Sequence, residues 1–167
     1  MVALIRSPLI VDTGPLLTYL SLCFLDEIKA DKARRDSALD DLRSGVRWDA
    51  SKQDRCRNFF QHDKCLTTSH VLVELFRLRE RTFLFERKDQ FLEFALAQLE
   101  FVEERPVLLK DLDPSLVKRY GLADAGLLWI ARENKGTLVT DDGKLFQGLG
   151  SDATFEIRML DRCLDES

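Results

Sequence analysis

The segment SPLIVDTGPLL, residues 7–17, carries the strongest structural signal in the chain. Its apolar run, which ends at Asp12, is typical of a short strand over Ser7–Asp12 that is buried on both faces. Pro15 follows within three residues, and because proline suits the first turn of a helix, we expect a helix over Pro15–Leu22. A buried strand followed at once by a helix indicates a βαβ unit, in which the strands run parallel.

The rest of the chain continues this alternation of strands and helices. Ser69 is the expected N-cap of the second long helix, and Gly136 stands where a helix would end. Further strands are expected at 66–68, at 101–103 or 106–109, at Thr137–Thr140 and at Phe155–Leu160, and helices at 69–81, Lys88–Glu100, Pro114–Tyr120, Leu122–Asn134 and Gly143–Leu149. The pattern predicts an α/β fold, a three-layer α/β/α arrangement around a central parallel sheet. With 167 residues and no linker or repeat, we expect one domain over 1–167.

One segment does not follow the alternation. Asp26–Asp63 holds 9 acidic and 9 basic residues in 38 positions, with little helical periodicity. We expect a charged insertion at about 26–63, either a solvent-exposed helical excursion or a mobile loop, with a flap that binds substrate or a partner as the alternative.

Composition excludes several classes of protein. A net charge of −4 and a pI near 5.3 argue against a general nucleic-acid coat protein, which would be basic. The longest uncharged stretch, Thr13 to Leu25, has 13 residues, whereas a membrane span needs about 20. The N-terminus lacks the features of a signal peptide, and the four cysteines form no C-x-x-C pair. We therefore expect a cytoplasmic protein with reduced thiols and no membrane segment.

Acidic residues stand at the ends of the two clearest strands. Asp12 ends the first strand, and Asp141 and Asp142 directly follow Thr137–Thr140. Ligands of doubly wound sheets bind beyond the carboxyl ends of the strands, so these carboxylates are candidate site residues. As an alternative, Asp12 and Asp142 each cap the helix that follows.

Two further acids fall on helix positions that predict burial. Glu74 lies in a stripe with Val71 and Leu75, and Asp124 heads a stripe that continues with Leu127. Alternatively, Glu74 is the buried partner of an arginine, and Asp124 is a first-turn acid favoured by the helix dipole.

Ionised carboxylates in apolar surroundings cost several kcal/mol unless they are paired, and crowded carboxylates repel one another. The adjacent sequence supplies no matching set of Lys or Arg side chains. A divalent cation would balance the charge, and an all-oxygen donor set suits Mg²⁺ or Mn²⁺ better than Zn²⁺.

Four segments of this chain resemble, in order, the acidic motifs of PIN-domain ribonucleases, most closely those of the small VapC-type toxins. The segments are LIVDTGPLLTYL (9–20), TSHVLVELFRL (68–78), GLADAGLLWIA (121–131) and TLVTDDGKLF (137–146). The chain departs from compact VapC-type proteins in the charged stretch 26–63.

The resemblance assigns roles to residues. It implies four metal ligands, which are Asp12, Glu74, Asp124 and Asp142. It places further cofactor-binding residues beside them, namely Thr13, Thr140 and Asp141. The last family motif reads Thr, any residue, Asp, which favours Asp142 over Asp141 as the ligand. An ordinary strand-end threonine is the alternative role for Thr140.

The resemblance also implies an activity and partners. The expected reaction is hydrolysis of RNA phosphodiester bonds with one or two Mg²⁺ or Mn²⁺ ions, giving a 5′-phosphate and a 3′-hydroxyl. A toxin of this kind would pair with a cognate antitoxin that blocks the acidic pocket. Family members often form homodimers through helices, and Phe91 and Phe94 are the apolar stripe expected to be exposed for this purpose.

A basic segment would help RNA reach an acidic pocket. Arg77–Lys88 carries a local charge of +3, with Phe83 and Phe85 interleaved. Basic and aromatic side chains together are able to hold a backbone and stack unpaired bases. The alternative is a solvated helix end with core phenylalanines.

Two other classes stay open. A phosphoryl-accepting domain also places acids at strand ends, but it would need a second acid near the first strand or a paired lysine, which LIVDTG does not offer. A non-catalytic nucleic-acid-binding or protein-interaction scaffold is disfavoured because all four acids are present.

Overall fold

The computed structural model describes residues 5–43, 48–62, 64–78, 87–149 and 154–166. Within these residues, five strands form one sheet: β1 (Leu9–Val11), β2 (Cys65–Thr67), β3 (Val102–Glu104), β4 (Thr137–Thr140) and β5 (Glu156–Met159). The helices are α1 (Thr13–Glu27), α2 (Lys32–Arg43), α3 (Ala50–His62), α4 (Ser69–Leu78), α5 (Lys88–Gln98), α6 (Pro114–Tyr120), α7 (Leu122–Asn134), α8 (Gly143–Leu149) and α9 (Leu160–Glu166).

All strand pairs are parallel, in the order β3-β2-β1-β4-β5. The chain moves outward from β1 through β2 to β3, then returns to place β4 on the other side of β1. The point between β1 and β4 is therefore the topological switch point, where open α/β sheets form their binding crevice.

The predicted α/β class and central parallel sheet are confirmed. Strands β1, β2 and β4 are buried along their whole length, as expected for parallel strands covered by helices. Helix α1 packs against α3, α4 and α5, whereas α7 packs against β1 and β4. These contacts are consistent with the three-layer arrangement.

Four predicted elements are confirmed at their predicted bounds, namely α6, α7, β4 and α8. Helix α7 ends where Lys135 adopts a left-handed conformation with φ 52°, and the amide of Gly136 donates to the carbonyl of Ala131 over 3.3 Å. Helix α1 is longer than predicted and continues to Glu27, because its apolar residues remain in the core through Leu25.

Several predicted boundaries were wrong. Of the two alternatives for the strand after α5, the one at 101–103 is confirmed with a shift of one residue, because β3 spans Val102–Glu104. The alternative at 106–109 is wrong, and Leu108 and Leu109 are exposed there. The cap of α4 is Thr68 rather than Ser69, since the Thr68 hydroxyl accepts a hydrogen bond from the amide of Val71 over 3.2 Å. Helix α9 was not predicted.

The expectation of a solvent-exposed helical segment at 26–63 is confirmed for most of α2, where Ala38 and Leu39 are the buried exceptions, and it is wrong for α3. The segment is helical, as one alternative held, but α3 packs against both α1 and α9. The side chains of Cys56 and Phe60 are fully buried, and Phe59 is 9% exposed. Trp48, which precedes α3, is also buried.

The predicted dimer stripe is wrong as well. Phe91 is fully buried and Phe94 is half-buried, and both pack against the ring of Phe24. The four cysteines are thiols, as expected. In the described ranges there is no helix with the length and apolar character that crossing a bilayer requires.

Candidate carboxylate site

The predicted site residues gather at the switch point between β1 and β4. Val11 and Val139 are partners in the sheet register, and the amide of Asp12 donates to the carbonyl of Val139 over 3.1 Å. Because the two strands end side by side, Asp12 lies beside the end of β4, directly before Asp141 and Asp142.

Asp12 is the most enclosed of the carboxyl groups, at 9% exposure. One oxygen, Oδ1, accepts from the Thr13 amide over 2.6 Å, so the predicted capping of α1 is present. The other oxygen, Oδ2, accepts from the hydroxyl of Thr140 over 2.6 Å. Capping therefore uses one carboxylate oxygen and contact with β4 uses the other.

Burial raises the pKa of Asp12 above its usual value. The hydrogen bonds from Thr140 and Thr13 oppose this effect because they stabilise the ionised form, whereas the nearby Asp141 and Glu74 raise the pKa further. Asp12 thus lies within electrostatic reach of carboxylates from two other parts of the chain.

Thr140 links the first and last acids of the set. Its hydroxyl donates to Asp12 and accepts from the amide of Asp142 over 2.9 Å. Asp142 itself is exposed, and its Oδ1 accepts from the amides of Lys144 and Leu145 at the start of α8. The predicted capping role of Asp142 is therefore present too, and Thr140 is more than an ordinary strand-end residue.

Glu74 reaches the site from α4, but the expectation that it is buried is wrong. Val71 and Leu75 take the core positions of the helix, and Glu74 lies exposed at the border of this stripe. Its Oε2 accepts from the Thr13 hydroxyl over 3.1 Å. An exposed Glu74 also excludes the alternative of a buried ion pair with an arginine.

Asp124 is half-buried in the first turn of α7, at the head of a stripe in which Leu127 is fully buried, as predicted. Burial is the largest cause that raises the pKa of Asp124 to about 7. The charges of Asp12, Asp142 and Glu74 raise it further, in that order. Each of the other three predicted acids therefore lies within electrostatic reach of Asp124.

Asp141 packs behind the start of α1. A Cβ added to Gly14 would lie 3.1 Å from Oδ2 of Asp141, so a glycine at this position lets the carboxylate approach the helix. Sequence reasoning did not find this contact, although Gly14 directly before a proline was the available signal.

The donor set consists of carboxylate and hydroxyl oxygens, which fits Mg²⁺ or Mn²⁺. In the ranges that the structure describes, no three His, Cys, Asp or Glu side chains are placed to hold a metal ion as they stand. Asp12 and Asp142 direct carboxylate oxygens at amides and at Thr140. Binding a cation would exchange some of these bonds for metal–oxygen contacts.

In the metal-free protein, we expect the free energy of unfolding to fall as pH rises from about 4 to about 7. The folded pKa of Asp124 is raised from 3.8 to about 7, so the folded state binds more protons than the unfolded state across this window. The raised pKa of Asp12 acts in the same direction. Asp124→Asn should reduce the fall by about 1–2 kcal/mol, a figure limited by solvent screening of a half-buried group.

Urea unfolding in EDTA at pH 5 and pH 8 measures this difference. Asp41→Asn, an exposed change on α2, is the matched control and should leave the slope unchanged. An unaltered slope in Asp124→Asn would show that this carboxyl does not titrate near neutral pH.

The basic segment Arg77–Lys88 is described only at its ends. Arg77, Arg87 and Lys88 are exposed, and residues 79–86, including Phe83 and Phe85, lie outside the described residues. Its role in holding RNA stays a prediction.

No family model matches this chain, and no curated protein matches it. The family resemblance and the roles that it assigns therefore rest on the sequence motifs and on the geometry above.

Proposed function

We propose that this protein is a metal-dependent ribonuclease with a PIN-like domain, which hydrolyses RNA phosphodiester bonds using Mg²⁺ or Mn²⁺. One observation carries the proposal: Thr13 joins Asp12 to Glu74 and Thr140 joins Asp12 to the backbone of Asp142, so that carboxyl groups from separate parts of the chain meet at the switch point of the sheet. Burial and the charges of these three acids also raise the pKa of the half-buried Asp124. Such crowding is unfavourable in the empty site and becomes favourable when a divalent cation is bound.

The cation would be held by Asp12, Glu74, Asp124 and Asp142. When bound, it supplies two effects, a lower pKa for the attacking water and charge neutralisation on the phosphate. Water adds to phosphorus, the bond to the 3′ oxygen breaks, and the proton of the water is transferred to that oxygen. The products are a 5′-phosphate and a 3′-hydroxyl.

The residues around the ligands orient them. Thr13 contacts two of the four acids, donating from its amide to Asp12 and from its hydroxyl to Glu74. Thr140 similarly joins Asp12 to the backbone of Asp142. These bonds fix carboxylates from α1, α4 and the end of β4 relative to one another, which is the preorganisation that metal-assisted hydrolysis needs.

The resemblance to VapC-type proteins adds a biological role and a protein partner to the proposal. We propose a cytoplasmic toxin whose cognate antitoxin places a basic side chain among the carboxylates. Co-expression with the product of the neighbouring gene would test this point, and full RNase activity of the purified pair would argue against it.

Cleavage of single-stranded RNA by the purified protein tests the reaction. We expect cleavage with Mn²⁺, loss of cleavage in EDTA and recovery when Mn²⁺ is restored, because the carboxylates alone supply no activated water. Calorimetry should show Mn²⁺ binding at the same time. Cleavage that persists undiminished in EDTA would exclude this mechanism.

The alternative function is a non-catalytic scaffold that binds nucleic acid or protein. Absence of cleavage for any RNA, together with absence of Mn²⁺ binding, would favour it. Formation of an acid-labile phosphoprotein would instead favour a phosphoryl-accepting domain.

A further inference from the structure

A groove of about 380 Å³ lies beside the carboxylates, between α4 and the start of α7. Its volume falls within the range of about 300–1,000 Å³ that is usual for small-molecule pockets. Glu74 lines both the groove and the carboxylate site, and Ala123 in its wall directly precedes Asp124. The groove is therefore continuous with the place where a scissile phosphate would lie.

The walls of the groove combine apolar and basic side chains. Val73 on α4 and Leu122 on α7 are 63% and 41% exposed, and both line the groove. Arg77 follows Val73 by one helical turn and His70 precedes it by one turn, so both flank Val73 on the same face. Arg77 is exposed.

We propose that this groove binds one unpaired nucleoside of the RNA, next to the phosphate that is cleaved. Val73 and Leu122 contact the base, and Arg77 pairs with the adjoining phosphate. The inference rests on the proposed ribonuclease function. It gives a structural reason for the single-stranded substrate, because a base that is paired and stacked in a duplex does not enter a groove between helices.

The size of the groove favours a nucleoside over a protein partner. Among the described residues, seven line it, whereas a stable protein interface covers about 20–30 residues on each side. The position of Glu74 in both sites also favours an occupant that extends into the carboxylate cluster, as an RNA strand does.

The test compares two substrates and two matched variants. The first substrate is an intact single-stranded RNA. The second is a set of RNAs of the same sequence, each of which carries one abasic residue at a position next to the cleaved bond. The groove variant is Val73→Ser/Leu122→Ser, which removes both apolar walls without adding charge. The control variant is Leu96→Ser/Leu109→Ser, which changes two exposed leucines of 57% and 67% exposure that are not among the residues lining the groove.

We expect the groove variant to raise KM for intact RNA about tenfold, the size of effect that loss of one base contact produces. One abasic position should reduce wild-type affinity to the same level, and the groove variant should bind that RNA no worse than the wild type does. The control variant should behave as wild type. Equal KM values for the groove variant and the wild type with intact RNA would overturn the proposal.

Substitution of Arg77 is expected to affect RNA binding differently from the groove variant. Arg77→Ala should weaken intact and abasic RNA equally and reduce the salt dependence of binding, since a phosphate contact does not read the base. Arg77→Lys should restore most of the affinity. A loss confined to intact RNA would show that Arg77 contacts the base instead, which contradicts the assignment.

Two further readouts separate this inference from the proposed function. If the wild type cuts no RNA, fluorescence anisotropy with labelled single-stranded RNA still tests the groove, and equal binding by the groove variant and the wild type overturns it. If the groove variant changes the oligomeric state in size-exclusion chromatography and the control does not, the groove is a protein interface and the proposal is wrong.

Discussion

Asp12→Asn is expected to reduce Mn²⁺-dependent RNA cleavage by on the order of 10³-fold, more than the loss typical of residues behind metal ligands. The change removes the most enclosed negative charge of the site, which lies beside Thr13 and Thr140. Asparagine still supplies an oxygen to the Thr13 amide, but its amide group donates to the Thr140 hydroxyl instead of accepting from it. The charge of the ligand is lost and the cap of α1 is retained, while the bond to Thr140 reverses its direction.

The same variant should fold normally, which makes the loss of activity interpretable. Asparagine is as good an N-cap as aspartate, so α1 keeps its cap. Burial raises the pKa of Asp12, so removal of its charge offsets the lost acceptor of the Thr140 hydroxyl, and we expect the metal-free protein to stay close to the wild type in stability.

Initial cleavage rates, Mn²⁺ calorimetry and thermal unfolding are the three measurements. Asp41→Asn, which makes the same chemical change at an exposed position of α2, should leave all three unchanged. Cleavage by Asp12→Asn at a rate near that of the wild type would remove Asp12 from the mechanism, and with it the carboxylate cluster as the active site.

Local signals in the sequence predicted the elements that carry their own stops and caps. Helix α6 begins at Pro114 behind Asp113, whose carboxylate accepts from the Ser115 amide over 2.8 Å, and it ends at Gly121, where φ is 93°. Such signals act within a few residues, so they are readable from the chain alone.

The exposure of Glu74 was not readable in the same way. Helical spacing places Val71, Glu74 and Leu75 on one side of α4, but the direction from which the core approaches decides which of them is buried. The core takes Val71 and Leu75 and leaves Glu74 at the edge, in contact with Thr13. That edge position makes Glu74 available to the site.

The packing of α3 was missed for a different reason. The charged residues of 26–63 balance one another and dominate its average composition, whereas Cys56, Phe59 and Phe60 fall at the i, i+3 and i+4 positions of a buried stripe. The spacing of these three residues therefore indicates the buried face of α3, which average composition conceals.

Strand order was not predictable from local patterns, because pairing joins residues far apart in the chain. Leu9 pairs with Cys65 on one side and with Thr137 on the other. The switch point between β1 and β4 follows only from this pairing, although the acids at the strand ends already indicated which edge of the sheet to inspect.

Because β1 and β4 lie close together, Gly136→Ala is expected to destabilise the fold strongly. A Cβ at Gly136 would lie 2.2 Å from the carbonyl oxygen of Pro8 and 2.6 Å from Cδ1 of Ile10. The Pro8 carbonyl also accepts from the Thr137 amide over 3.1 Å, so it cannot retreat without loss of a bond that joins the two strands. We expect Gly136→Ala to lower the free energy of unfolding by about 3 kcal/mol or more.

Urea unfolding followed by circular dichroism measures this loss, with Gly143→Ala as the matched control. A Cβ at Gly143 meets no atom within 4 Å, and alanine is the better helix former, so the control should be neutral or slightly more stable. The comparison of the two variants also tests the site, because the pairing of β1 with β4 places Asp12 next to Thr140. If Gly136→Ala were within about 1 kcal/mol of the wild type, the strands would not approach this closely, and the juxtaposition of the carboxylates would lose its structural basis.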